Sequence, residues 1–278
     1  GLGGQSMYLL HLAAIGKIPA RVSITADTGW ETDCDLNDGT KTTARDFYHD
    51  YVVPFCNKNG LDSYFVRTKD RYGNPLPSIP DYLAQKHAGG AISPQAVPMF
   101  GSKGGRLMQS CTEKWKIRAM RQQVRVLGAT TARSAQGIHF GERARRVKGN
   151  FIGVENGFSI YKTPKGPDSV IKWLSHYYPL VDMEMDREDV RAEMDRLGLP
   201  YLISSECNGC PHADSWRWLR RTASTIESVA ALENLYEGEF FFSSKRRPLR
   251  EVIADLRLMD DEMVDEANFD CTDGVCGV

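Results

Sequence analysis

Arg21-Val22-Ser23-Ile24-Thr25-Ala26-Asp27-Thr28-Gly29-Trp30-Glu31 is the stretch that decides the fold. Val22, Ile24 and Ala26 alternate with Arg21, Ser23 and Thr25, the period-two pattern of a short strand. The strand breaks into Asp27-Thr28-Gly29, a turn at its carboxyl end, and open α/β sheets bind their ligands there. On the amino side, Met7, Leu10, Leu12 and Ile15 sit among small residues and predict a helix that follows a glycine turn. That turn opens so abruptly at Gly1 that it reads as the sequel to an upstream strand. On the carboxyl side, Ala44, Phe47, Tyr48, Tyr51, Val52 and Phe55 recur at helical spacing, and 63–67 predicts the next strand. This β-α-β-α order favours an α/β fold, a doubly wound, mostly parallel sheet.

Further along, 68–105 is rich in Gly, Pro and Ser and too long for a passive connection, so it reads as a functional flap. Helices are expected over 111–127 (apolar stripe Ile117, Met120, Val124, Leu127), 186–197, 215–236 and 248–259, with a short strand at 137–140. The organisation read from this is an adenine-nucleotide-sized α/β unit over 1–200 carrying the flap, then 201–278 with a Cys-x-x-Cys segment, helices and an acidic tail.

At 278 residues the chain can bury a full core. Apolar runs fall far short of the roughly 18 residues that span a bilayer, and the start shows no signal peptide, so no membrane partner is expected. Seven cysteines, an odd number, argue against a disulfide framework and for metal or redox thiols in a reducing, cytoplasmic compartment. Charge is segregated. Residues 103–148 carry twelve Lys/Arg against two acids, and 251–278 carry nine acids against one Arg. Either these are two solvated faces, or a basic floor for phosphates or nucleic acid with an acidic tail able to lie over it.

Four constellations carry chemistry. Gly3, Gly4, Gln5 and Ser6 form a glycine turn opening a helix, where backbone N–H groups can cradle phosphate; an ordinary tight turn is the competing reading. Asp27 is placed to meet ribose or a phosphate-held metal, with Thr28 beside it and Gly29 admitting close backbone approach; the alternative is a turn whose Asp caps the next segment. Cys111, Cys207 and Cys210 can hold a metal centre without a fourth protein ligand. Zinc would need a fourth from His212, Cys34 or Cys56, and unligated redox thiols are the third possibility. Lys114, Lys116, Arg118 and Arg121 follow Cys111, with 114, 118 and 121 on one helical face, and Arg143, Arg145 and Arg146 follow the later strand. Both runs are phosphate binders or solvated faces. Cys271 and Cys276 are tail thiols suited to attack, relay or resolution, or to no role.

In this order the motifs resemble the PAPS reductase family of the adenine-nucleotide alpha-hydrolase superfamily, related to the N-type ATP pyrophosphatases. Gly3-Gly4-Gln5-Ser6 is similar to that family's pyrophosphate loop, and Ala26–Glu31 to its Asp-Thr-Gly segment. Residues 111–121 are similar to its Cys-containing basic helix, and 137–146 to its Gly-x-Arg strand and turn. Tyr178-Pro179-Leu180-Val181 with Asp189-Val190 is similar to its Pro-Leu and Asp-Val segment, Cys207-x-x-Cys210-Pro211 to its cluster pair, and Cys276-Gly277 loosely to the reductase tail. Three departures stand out. Ser110-Cys111 replaces Cys-Cys, the end Val275-Cys276-Gly277-Val278 lacks the reductase His, and the loop lacks the usual Lys/Asp pair. The chain is thus closer to the phage and mobile-element members and to nucleic-acid thiolating enzymes. The resemblance implies a Rossmann-like, HUP-type sheet with a helical C-terminal region, ATP with Mg²⁺, and a 4Fe–4S cluster on Cys111, Cys207 and Cys210. It implies adenylation of a nucleotide or nucleic-acid acceptor followed by sulfur transfer, fed by a sulfur or electron donor protein, with an oligomer expected as well. The alternatives are a sulfonucleotide reductase with Cys276 as nucleophile, and a non-catalytic nucleotide-binding scaffold.

Overall fold

A computed structural model describes residues 2–31, 33–94, 96–146, 149–166 and 169–259. Gly3, extended, precedes α1 (Gly4–Ala14), which leads into β1 (Val22–Ala26), β2 (Asp33–Asp35) and β3 (Lys41–Thr43). Thr43 then starts α2 (Ala44–Phe47) by accepting the Asp46 N–H at 3.0 Å. A π-helical turn over Tyr48–Val52 joins it to α3 (Val53–Lys58), and β4 (Asp62–Val66) follows. β1 and β4 pair in parallel, Val22 opposite Asp62 and Ala26 opposite Val66. The expected β-α-β segment is therefore present, with both strands within a residue of their predicted limits.

The 68–105 stretch is more than a flap. It contains α4 (Ile79–Ala88) and β5 (Phe100–Gly101). Ser78 caps α4 by accepting the Asp81 N–H at 3.2 Å, Pro80 fits its first turn, and Leu83 is fully buried.

Residues 112–126 are helical throughout, but as a π-helical turn (Thr112–Ile117) continuing into α5 (Arg118–Val126). The strand expected at 137–140 lies earlier, at β6 (Ala132–Ala135). The chain leaves the strand there because Gly137 is pressed against α1: an added Cβ would stand 3.3 Å from Gln5 Cβ. Ile138 is buried with Tyr178 and Val181, and Phe140–Glu142 wind into a 3₁₀ turn before α6 (Arg143–Arg146).

Three strands follow that the sequence reading did not anticipate, β7 (Asn150–Glu155), β8 (Phe158–Gly166) and β9 (Ser169–Tyr177). Asn156 and Gly157, at φ 52° and 82°, make the tight β7–β8 reversal. β9 pairs antiparallel to β8 and parallel to β6, so this sheet runs β6-β9-β8-β7. Next come α7 (Pro179–Asp182) and α8 (Arg187–Arg196), the latter begun by a reciprocal Asp186–Asp189 capping box.

The single helix expected over 215–236 is two, α9 (Ser215–Leu219) and α10 (Ala223–Asn234), followed by β10 (Phe240–Phe241) and α11 (Leu249–Leu256). Arg221 turns inward at the break. Thr222 restarts the helix by accepting the Thr225 N–H at 3.2 Å.

The chain is mixed α/β, with small sheets among the described residues. The two parallel pairs, β4–β1 and β6–β9, are not hydrogen-bonded to each other. One core gathers Leu9, Leu12, Phe47, Leu180, Met194 and Leu202; a second gathers Trp30, Leu83, Trp115, Trp218, Val229 and Phe242. The second core draws on both sides of residue 200 and is tied by the buried Glu233 carboxylate, which accepts the N–H groups of Phe242 (2.9 Å) and Leu249 (2.7 Å). Among the described residues no helix is long and apolar enough to cross a membrane.

Candidate functional site

Cys111, Cys207 and Cys210, distant in sequence, line one cavity of about 1060 Å³ together with Gly3, Gly4, Gln5 and Ser6. Cys207 is buried and lies on a segment held from three sides. Asn208 N–H donates to Trp30 O at 2.8 Å, Cys210 N–H to Cys207 O at 3.1 Å, and Arg221 Nη2 to Cys207 O at 3.1 Å. The Trp30 ring lies on Gly209, where an added Cβ would stand 2.0 Å from the indole. Only glycine fits between the two cysteines. Gly209→Ala is therefore expected to force the turn off Trp30 and to lower stability by about 1–3 kcal/mol or more. A denaturation midpoint compared with wild type checks this; an unchanged midpoint would show that the ring yields freely.

Cys111 comes from the other wall. Its N–H donates to Ala96 O at 2.8 Å, and Ala96 sits at φ 74°, a conformation non-glycine residues rarely adopt. The π-helical turn that follows is anchored by Trp115, fully buried, whose Nε1 donates to Pro77 O at 2.9 Å while its carbonyl accepts the Thr68 hydroxyl at 3.2 Å. The turn also resets the basic face. A π turn holds one residue more than an α turn, so the cavity is lined by Lys116 and Arg121, five apart, and not by the expected 114, 118 and 121. Lys114 Nζ instead lies 3.5 Å from the Tyr82 ring centre, and Arg118 is exposed. Arg121 also pairs with Glu113 at 2.9 Å.

Burial pushes the Cys207 thiol up to about 12, against the pull of the Lys116 ammonium; the Cys111 thiol is raised too, by burial and then by Cys210. Lys116 is held in its charged form, by the Cys207 sulfur first and by Cys210 and Glu31 besides. Glu31 Oε1 accepts both the N–H and the hydroxyl of Thr28 at 2.6 Å, and that hydroxyl lies 3.5 Å from Cys207 Sγ.

The Asp-Thr-Gly turn is built differently from its expected role. Asp27 is buried, pairs with Arg67 (2.8 Å) and Arg45 (3.1 Å), and accepts the Gly29 N–H at 2.7 Å. It does not line the cavity; Glu31 is the carboxylate that does. Thr28 is fully buried behind Glu31 and Cys207. Gly29 has φ 70°, and a Cβ there would stand 2.5 Å from Ser78 Cβ, so its close approach is to the cap of α4. The turn thus sets Trp30 and Glu31 in place.

At the opposite wall α1 begins with no acidic residue in its first turn and no side-chain cap, so its leading N–H groups face the cavity at Gly4, Gln5 and Ser6. Arg187 and Arg191 of α8 line the same space. His176 of β9 lies there as well, and burial, then Arg121, lowers it to about 4. An unfolded histidine protonates near 6.5. The unfolded chain therefore binds that proton first, and native stability is full above pH 6.5 and falls as pH drops from 6.5 towards 4. The loss reaches about 3 kcal/mol at most. His176→Gln is expected to remove that slope from an acid titration of stability; a slope that persists unchanged would place its origin elsewhere.

The remaining expected residues fall outside the site. Cys34 and Cys56 are buried in the first core, and Cys34 Sγ approaches Asp35 O at 3.5 Å. His212 is engaged at both ring nitrogens, by Arg106 at 3.0 Å and Gln109 at 3.1 Å. None of the three stands as a fourth zinc ligand. The Arg145 backbone lies in α6, its side chain outside the described residues, as are Cys271 and Cys276. Among the described residues no three His, Cys, Asp or Glu side chains converge on a single ion. A cluster distributes its thiolates over different irons, so its ligands stand farther apart than those of one ion.

Sequence reasoning missed Glu31, Trp30 and Arg221. A signal for the first two was present, since Trp30-Glu31 directly continues the turn after β1; Arg221 carries none, being one of two adjacent arginines in a helical pattern. Comparison with known proteins finds no matching family model, no matching curated protein and no matching solved structure.

Proposed function

We propose that this protein is a PAPS-reductase-like enzyme that uses ATP to adenylate a nucleotide or nucleic-acid acceptor and then transfers sulfur to it. One observation carries the reading: three thiols from separate parts of the chain line the same cavity as the uncapped start of α1 and the Lys116 ammonium. The donor set is all sulfur, and the alternative fourth ligands are otherwise engaged, which suits a 4Fe–4S cluster on Cys111, Cys207 and Cys210 better than zinc. When bound, such a cluster supplies an iron left open by three-cysteine ligation, able to carry sulfur or electrons.

The chain's own groups account for the rest. The N–H groups of Gly4, Gln5 and Ser6 take phosphate oxygens, and Lys116 with Arg121 balances the charge that develops as the α–β phosphate bond breaks. Mg²⁺ arrives on the ATP phosphates and needs few protein ligands. Trp30 and Val97 exclude water from the thiol end. The basic 103–148 segment gives a nucleic-acid acceptor its electrostatic attraction. Cys271 or Cys276 relays sulfur or electrons from a donor protein. Cytoplasmic placement belongs to the same reading. We also infer that β4–β1 and β6–β9 are parts of one doubly wound, Rossmann-like, HUP-type sheet; both pairs run towards this end of the cavity.

The test is anaerobic purification followed by iron, sulfide and zinc analysis and an assay of pyrophosphate release from ATP. About four irons per chain and acceptor-dependent pyrophosphate support the reading. Stoichiometric zinc, or no metal and no turnover, would replace it with a nucleotide-binding scaffold.

A further inference from the structure

The cavity, at about 1060 Å³, is larger than the roughly 300–1,000 Å³ that ligand pockets occupy. Its two ends also differ in chemistry. Away from the thiols it becomes a slot between two strand edges. Every residue of β1 and of β6 lines it, and among the described residues β1 is hydrogen-bonded only to β4 and β6 only to β9. Leu9, Leu10 and Ala13 of α1 and Ile117, Met120 and Val124 beside or within α5 also line it. The second set is the stripe whose spacing assigns it to a core, yet none of its members is fully buried, and Leu127, next along it, is 41% exposed.

We propose that an extended apolar strand leading directly into Gly1 lies in this slot, parallel to β1 and β6 and hydrogen-bonded to both. Direction fixes the source. β1 ends towards Trp30 and Glu31 beside Cys207, and β6 runs through Gln136 into Gly137 against Gln5, so both point to the start of α1. A parallel strand in the slot ends at that point, where Leu2 is buried and Gly3 bridges Leu202. α1 then becomes the crossover of a β-α-β unit whose second strand is β1. Five residues match β1, and a central parallel strand covered on both faces is a continuous apolar run. The sheets join in the order β4-β1-new strand-β6-β9-β8-β7. This rests on the doubly wound reading of the fold and is independent of the sulfur chemistry.

The test places Val-Val-Ile-Val-Val ahead of Gly1 and compares it with the same extension carrying a central Pro and with the 278-residue chain. Hydrogen exchange at 22–26 and 132–135, thermal midpoint and solution mass are read, with no cofactor needed. Expected for the valine extension are a monomer with a higher midpoint and at least about tenfold slower exchange in both strands, and neither gain for the proline form. Val124→Asp, in the wall of the slot, should cancel the gain while leaving the unextended chain's midpoint within about 0.5 kcal/mol of its original stability. Equal exchange in both extensions would overturn the proposal. So would protection that appears only as the chain dimerises, which would assign the slot to a second copy. Loss of iron binding or turnover with the gain intact would count against the proposed function alone.

Discussion

Cys207→Ala abolishes cluster loading: after anaerobic reconstitution with iron and sulfide, the variant's iron content and visible absorption fall by at least the roughly 10–100-fold that loss of even an outer-shell partner costs. Cys111→Ala and Cys210→Ala give the same result, while Cys34→Ala and Cys56→Ala, in the first core, keep full loading. The contrast follows from placement. Cys111, Cys207 and Cys210 line the cavity; Cys34 and Cys56 lie outside it. Ligands must shed their protons to bind metal, and burial holds Cys207 as a thiol, so loading should also release protons and weaken in acid. Iron analysis alongside circular dichroism separates lost ligation from lost fold. Full loading of Cys207→Ala would end the cluster assignment.

Arg221→Ala lowers stability by about 3–5 kcal/mol, since removing one partner of a buried pair strands the other. Arg221 is 5% exposed; it pairs with Glu206 at 3.0 Å and donates to the Cys207 carbonyl at 3.1 Å. Its position at the α9–α10 break means that the loss falls on the cysteine turn as well as on the helices. Urea denaturation gives the first quantity, and thiol-reagent accessibility of Cys207 gives the second, expected to rise. Arg221→Lys keeps the charge without the forked geometry and should recover only part of the stability. A variant as stable as wild type would reduce Arg221 to an incidental contact.

Much of this was legible in the chain, and the rest has identifiable causes. β1 and β4 were readable because alternation needs only local sequence. The cysteine set was readable because thiols are few and Cys-x-x-Cys spacing is restrictive. β7 to β9 were missed although Asn156-Gly157 is a strong hairpin signal, because the flanking alternation was not pursued. The 215–236 pattern looked like one helix because Arg221 carries no helix-breaking signal; a tertiary partner makes the break. Asp27 was read as a ligand-binding carboxylate because nothing local announces Arg45 and Arg67 as its partners.

The π-helical turn over Thr112–Ile117 makes the site a matter of chain length as much as of residue identity. Deleting one residue there would let the backbone relax into ordinary α-helix, rotating everything after it by about 100° relative to Cys111. Every basic side chain would survive such a deletion, yet Arg121 would no longer share a wall with the cysteine. Two sequences of the same composition, one residue apart in length, would thus present different electrostatic faces to the same pocket.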